Sequence, residues 1–439
     1  MLEPLYTAAE MRAAELGHDV GELMARAGRA VAEEALRRYP DAGSFSAVCG
    51  RGANGGDARI ALEVLRAEGK RAEEGLEGEV ILDGLFGTGF RGEPRLEAAA
   101  LIEAMNAAGR PVVAVDLPSG VNADTGEIEG VAVRAEVTVA MHGHKVGNVV
   151  APGRFRCGEV VVADIGLAAV ETEHRLVTRE VLSIVPRKDP EDNKYTAGHV
   201  LVVGGSPGMT GAPALAASAA LRADCGYVTV CCPPESMPVL EGLVVEAVKR
   251  PLEEVFEAAE KASALAIGPG LGRDRDRHEL VRRLLAETDL PAVVDADALY
   301  GLEPFDRSAP TVLTPHAGEL GRLLGEDSAQ VSAHRLEAVQ RGAERYGSVC
   351  VLKGADTLVA APDAGVLVAA HGPPSLAAAG TGDVLTGVTA AFLAKGLDAR
   401  LAAAASATAC GLAAWLGPAR GLVARDVIEA LPEVLDAEV

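Results

Sequence analysis

Short apolar runs recur along the chain, and each ends in a glycine or a polar cluster before a longer stretch with helix-spaced apolar positions. In the first half the runs are 45–49, 80–82, 112–115 and 136–140; in the second they are 200–203, 264–267, 292–294, 311–313 and 349–352. Leu23, Met24, Ala27, Ala30, Val31 and Ala35 recur at helical spacing, which predicts helix over 6–38, and a second helix is expected over 58–68. Strand alternating with helix predicts parallel, doubly wound sheets. The charge-mixed stretch around 167–188 lacks ligand-type motifs. The expectation is therefore two three-layer α/β/α domains: 1–168, a linker over 169–186, and 187–439.

Composition narrows the partners. The chain has 439 residues, too many for one average domain, and a formal net charge of -22. That charge argues against nucleic acid and anionic membrane, while leaving a small anionic ligand open. Glu3, Glu10 and Arg12 interrupt any N-terminal apolar run, so no signal segment is expected. The stretch 401–417, mostly Ala with Ser and Thr, reads as a buried helix rather than a membrane span. Seven cysteines without metal-type spacing fit reduced core residues of a cytosolic protein.

The chemistry concentrates where strands end. Residues 377–387 read as a small-residue loop opening a helix, a geometry that aims backbone N–H groups at an anion. Asp383 falls in that first turn, either as base toward a hydroxyl being phosphorylated or as a helix cap. Residues 50–57 form a glycine-rich turn between strand and helix, without G-x-G-x-x-G spacing. Asp83 and Asp116 follow apolar strands, so both belong at the ligand-binding edge of a parallel sheet. Lys145 is the first concentrated cation brought to that edge, functional or merely a solvated charge. Asp295 and Asp297 either hold Mg²⁺ through water or cap a helix. His316 is a ligand group or a satisfied helix-start histidine, and Lys353 a phosphate partner or a structural ion pair.

The strings GANGGD, DGLFGTGF, VDLPSGVNADTG and HGHKVGN resemble the N-terminal epimerase domain of the NAD(P)H-hydrate repair enzymes. The resemblance implies a Rossmann-like domain that interconverts the R and S hydrates of NADH and NADPH around a potassium ion. It places K⁺ on Asn54, Asp83 and Ser119, a donor set suited to a hard cation. It places substrate against Ala53, Asn54, Gly55, Gly56, Asp57, Gly87, Thr88, Gly89, Phe90, Arg91, Gly92 and Glu93, with Asp116 as catalytic acid/base. The family pattern has Asn where Ala53 stands and Gly where Ala58 stands, and a longer segment than 68–79.

GGSPGMTGA, GPGLG, DADAL, TPHAGE, LKGADT and AAAGTGDVLTG resemble the ADP-dependent NAD(P)H-hydrate dehydratase, a branch of the ribokinase-like fold. By that resemblance Ala212, Gly270, His316 and Asp383 contact the hydrated nucleotide. Lys353, Gly354, Ala355, Asp356, Thr357 and Gly382 bind ADP, Mg²⁺ accompanies it, and Asp383 is catalytic. The family also implies a homo-oligomer. The rival reading is a small-molecule, vitamin-precursor kinase whose N-terminal half, with its Ala53 and short 68–79 segment, is only a nucleotide-binding or dimerising module.

Overall fold

The computed structural model describes residues 1–437. It divides into two compact units, one built from Pro4–Arg175 with Ser332–His334, the other from Met1–Glu3 and the rest of the chain from Leu176 on. The stretch 169–186 carries strand His174–Val177 and the 3-10 segment Arg179–Ile184.

The first unit holds a six-stranded sheet in the order Arg71–Glu74, Ser44–Cys49, Val80–Gly84, Val112–Val115, Val137–Met141, Glu159–Ala163. Every pairing in it is parallel. The helix predicted over 6–38 is two helices, Ala8–Glu15 and Val20–Arg38. Gly17 at φ 85° turns the chain between them and Asp19 caps the second, a local break that apolar spacing does not register. The helix expected to begin at Ala58 begins at Ala53, because the glycine turn winds into its first turn. The segment 68–79 still supplies edge strand Arg71–Glu74. Strand Ser44–Cys49 connects to that edge on one side, and the chain then crosses to Val80–Gly84 on the other. The resulting topological switch point opens a crevice at the strands' carboxyl ends.

The second unit has an eleven-stranded sheet. Its parallel part runs from Val248–Pro251 through Tyr227–Cys232, His199–Val203, Ala264–Ile267, Ala292–Val294 and Thr311–Leu313 to Val349–Leu352. Two antiparallel strands, Thr357–Ala360 and Leu367–Ala369, extend it, where the alternation pattern predicts only parallel strands. A hairpin needs a short turn rather than a crossover helix, so strand–helix alternation cannot signal it. Along His199–Val203, Val200 and Val202 join one core while Leu201 and Val203 join the other, the period-two pattern of a sheet covered on both faces. Helix Thr381–Ala394 packs closely on Gly211–Arg222: a Cβ at Gly387 would come 2.1 Å from the Ala216 carbonyl oxygen. Helix Ala399–Leu416 is long and apolar enough to cross a membrane by composition, but most of it is buried in this core.

Candidate active sites

In the second unit, four strand-end loops meet around Lys353. Its ammonium donates to Asp295 Oδ1 at 2.8 Å and stands 3.8 Å from Glu319 Oε2. Asp295 Oδ2 accepts from the Thr386 hydroxyl at 2.7 Å, tying helix Thr381–Ala394 to the same point. A Cβ at Gly382 would lie 3.3 Å from the Lys353 nitrogen, so the glycine lets the cation reach the helix start. Burial works against that charge, but Asp295 and then Glu319 outweigh it and hold the lysine's pKa above its ordinary value. Gly380, at φ 87°, is the helix cap and offers no side chain to the first-turn amides. Asp383 is therefore not the cap; it sits three positions after it, in the first turn. Burial, reinforced by Asp295 and opposed by Lys353, lifts its pKa to about 7. A carboxyl poised near neutrality beside free helix-start dipoles can take a proton while an anion is held.

Gly270 and Ala212 come together through stitched loops. Gly205 and Ser206 donate their amides to the Gly270 carbonyl at 2.9 and 2.7 Å, and the Ala212 amide donates to the Met209 carbonyl at 3.4 Å. Gly270 has φ 59°, and a Cβ there would come 2.4 Å from the Met209 oxygen. His316 caps helix Ala317–Leu324: its Nδ1 accepts from the amides of Gly318 and Glu319, at 3.0 and 3.3 Å. Its ring stays half exposed, with Nε2 3.4 Å from Glu319 Oε1. Asp297 is engaged by Arg273 at 2.6 Å and the Gly272 amide at 3.0 Å. Asp295 stands at the N-cap of the 3-10 segment Ala296–Leu299, but neither its side chain nor that of Asp297 caps it, since both serve other partners. Asp356 is buried against Arg335, Nε to Oδ2 at 3.1 Å, and the Arg335 fork also covers Gly354. Within the 353–357 stretch, the Thr357 hydroxyl donates to the Gly354 carbonyl at 3.4 Å and Ala355 lies between them. The Thr386 tether is the part that sequence reasoning missed; its one trace is a hydroxyl three positions after Asp383 on a helix.

In the first unit, the crevice at the switch point is a cavity of about 630 Å³ lined by residues 49–55 and 85–90. Ala53, Asn54, Gly55, Gly87, Thr88, Gly89 and Phe90 are on its wall, while Gly56 and Asp57 continue the helix and Arg91, Gly92 and Glu93 continue the loop beyond it. Arg91 pairs with Asp124, and Phe90 stacks on Phe86 with ring centroids 4.5 Å apart. Asn54 Nδ2 donates to the Val115 carbonyl at 2.5 Å, and a Cβ at Gly87 would come 2.1 Å from Asn54 Oδ1. Asp83 is wholly buried and accepts from the Ser119 amide at 2.8 Å, the Ser119 hydroxyl at 2.6 Å and the Leu85 amide at 3.2 Å. Burial raises its pKa to about 6 in spite of those bonds.

Asp116 has left-handed backbone, φ 68°, which turns its side chain back toward the neighbouring strand. Its Oδ1 accepts from the Met141 amide at 2.9 Å and from the ammonium of Lys145. Lys145 is fully buried and also donates to the carbonyls of Met141 and Gly143, at 2.6 and 3.2 Å. It is an internal ion-pair partner, not a solvated charge.

A Rossmann-like unit followed by a ribokinase-like unit, each with a carboxylate at the ligand edge of its sheet, defines a two-site α/β protein. Residues 200–433 match the family described as NAD(P)H-hydrate dehydratase, and residues 20–77 and 65–147 match the YjeF-related protein N-terminus. The chain belongs to the bifunctional NAD(P)H-hydrate repair enzyme family. It is 40% identical over 421 residues to the bifunctional NAD(P)H-hydrate repair enzyme Nnr of Moorella thermoacetica, covering 87% of this chain and 79% of that protein. Its identity to the Coxiella burnetii Nnr is 36% over 466 residues, 95% of each. The ADP/ATP-dependent NAD(P)H-hydrate dehydratase from Bacillus subtilis, co-crystallized with ATP/Mg²⁺, is similar in fold, with TM-score 0.55 and 31% identity. That likeness covers 58% of this chain and 96% of that one. A ribokinase-like superfamily protein from Enterococcus faecalis, 25% identical, gives TM-score 0.54 over 61% of this chain and 97% of its own.

Proposed function

We propose that the chain repairs hydrated NADH and NADPH, the first unit interconverting R and S hydrates and the second dehydrating the S form with ADP. The observation that carries the second activity is Asp383, a half-buried acid with pKa near 7 in the first turn of a glycine-capped helix, beside Lys353. Water loss needs the ring hydroxyl made into a leaving group. Asp383 takes the hydroxyl proton as the oxygen attacks the terminal phosphoryl of ADP, releasing AMP. The phosphate then departs as the adjacent ring carbon gives up its proton. The first-turn amides and Gly382 hold the transferring group, and Lys353 through Thr357 hold the nucleotide. Ala212, Gly270 and His316 orient the hydrated ring.

Mg²⁺ fits as a companion of the nucleotide phosphates: among the described residues no three metal-type side chains form a ready cage, and this ion is commonly held through substrate. K⁺ fits the first unit. Asp83 is a wholly buried carboxylate whose partners are neutral amides and a hydroxyl, and a monovalent cation on Asn54, Asp83 and Ser119 supplies the counter-charge. Asp116 serves that unit as a catalytic carboxylate at the ligand edge of its sheet. The protein acts in the cytoplasm as a homo-oligomer.

The test is recovery of NADH absorbance from mixed R/S NADH hydrate with ADP, ATP or no nucleotide. Complete recovery with ADP is expected. Recovery that stops at the S fraction would remove the epimerase activity, and none with either nucleotide would favour a small-molecule kinase.

A further inference from the structure

Asp57 is a buried acid at the first unit's ligand edge with an unpartnered carboxylate oxygen among the described residues. It is only 6% exposed, and the unpartnered oxygen is Oδ1. It lies on helix Ala53–Ala67 at i+3 from Asn54, on the face that Asn54 commits to the end of strand Val112–Val115 by bonding the Val115 carbonyl. The residue after Val115 is Asp116. A buried, unpaired carboxylate is costly, and the sequence could have avoided it with Asn or Leu.

We propose that Asp57 is a second catalytic residue of the epimerase site, the group that gives its proton to the hydroxyl of the hydrated ring. The inference rests on the epimerase reading and deepens it. Burial, then the charges of Asp116 and Glu15, raise the Asp57 pKa to about 7. The groups facing this cluster are Asp116, Glu15, Lys145, His142 and His144. Lys145 is spent on Asp116, and the two histidines are kept neutral, by burial first and then by Lys145. At neutrality Asp57 is therefore divided between its protonated and ionised forms, so it can both give and take a proton.

The two acids have complementary tasks. Hydrating the ring's enamine carbon leaves a hydroxyl on the carbon beside the ring nitrogen. Asp57 protonates that oxygen, the C–O bond breaks with its electrons going to the departing water, and the nitrogen lone pair forms the C=N bond of an iminium. Asp116, held as an ion pair by Lys145, sets negative charge near that cation. Water adds to the other face and returns a proton to Asp57. The R hydrate has become the S hydrate with no net gain or loss of atoms or charge.

The test uses the full chain without nucleotide, following R and S NADH hydrate by chromatography. Asp57→Asn is expected to lower kcat for interconversion by about 100-fold or more with KM little changed, and Asp57→Glu to restore part of it. ADP-dependent dehydration of pure S hydrate should stay at the wild-type rate. Wild-type protein that fails to interconvert the epimers sinks the epimerase reading and this role with it. An active wild type with an equally active Asp57→Asn overturns the role alone, as does a loss confined to KM. Should Asp57→Asn disturb folding, the infrared difference between wild type and Asp57→Glu decides. A neutral-carboxyl carbonyl band below pH about 7 must shift with that substitution, and an unshifted spectrum refutes the assignment.

Discussion

The two candidate carboxylates, Asp383 in a helix's first turn and Asp116 at a strand's end, are held in opposite ways. Among the described residues Asp383 makes no direct ion pair: Lys353 is spent on Asp295, and the acid's proton is governed by burial and neighbouring negative charge. Asp116 is gripped by a wholly buried lysine and a backbone amide. A free acid suits a site that must exchange a proton with each turnover. A locked one suits a site that needs a fixed charge, with the mobile proton kept elsewhere. Two α/β units with an acid at the ligand edge therefore need not share a chemistry.

The largest effect should come from removing the free acid. Asp383→Asn is expected to reduce ADP-dependent dehydration by about 10²–10⁴-fold, while calorimetry shows ADP binding within a few-fold of wild type. Near-normal turnover in this variant would make Asp383 a bystander and erase the contrast.

The locked acid should fail through stability first. Lys145→Met strands the Asp116 carboxylate in the interior and should cost the first unit about 3–5 kcal/mol, seen as an earlier unfolding step in urea. Adding Asp116→Asn should recover much of that loss, because the stranded charge is gone. No recovery in the double variant would mean that Lys145 matters for packing rather than for charge.

Much of this contrast could be anticipated from the chain alone, and some could not. Apolar runs ending in Asp83, Asp116, Gly268 and Lys353 announce parallel strands and place their polar residues on one edge, because side-chain period and crossover rules are local or topological. The break at Gly17 and the 357–369 hairpin escaped, since each depends on a turn rather than on a period. The partners escaped more completely. That Lys145 reaches Asp116, that Arg335 claims Asp356, and that Thr386 claims Asp295 depends on distances between segments far apart in sequence. Asp57 lay inside a legible motif, yet its isolation shows only when every neighbour's hydrogen bonds are accounted for.

A smaller effect tests the scaffold around the free acid. Thr386→Val removes the hydroxyl donor to Asp295 Oδ2 and leaves a buried acceptor unpaired, at a cost of about 1–3 kcal/mol. Urea unfolding should show the loss in the second unit only. The Lys353–Asp295 pair remains, so ADP binding should weaken less than turnover. Unchanged stability would show that Asp295 is held by Lys353 alone.

The smallest effect is a matter of pH at the free acid. Asp383 has a folded pKa raised from the ordinary carboxylate range to about 7, with Asp295, Asp297, Glu319 and Lys353 facing it. Its protonated form is thus favoured by folding. The stability this gives is complete below the unfolded value near 4 and is lost as pH rises toward about 7. Dehydration needs the ionised form, so activity should climb through the same window in which stability falls. Asp383→Asn, unable to ionise, should be inactive yet lose less stability than wild type between pH about 5 and about 8. Thermal unfolding of both proteins across that range checks it. Parallel curves would mean the folded acid titrates like a free one, and that the proton Asp383 removes must be drawn off by some stronger base.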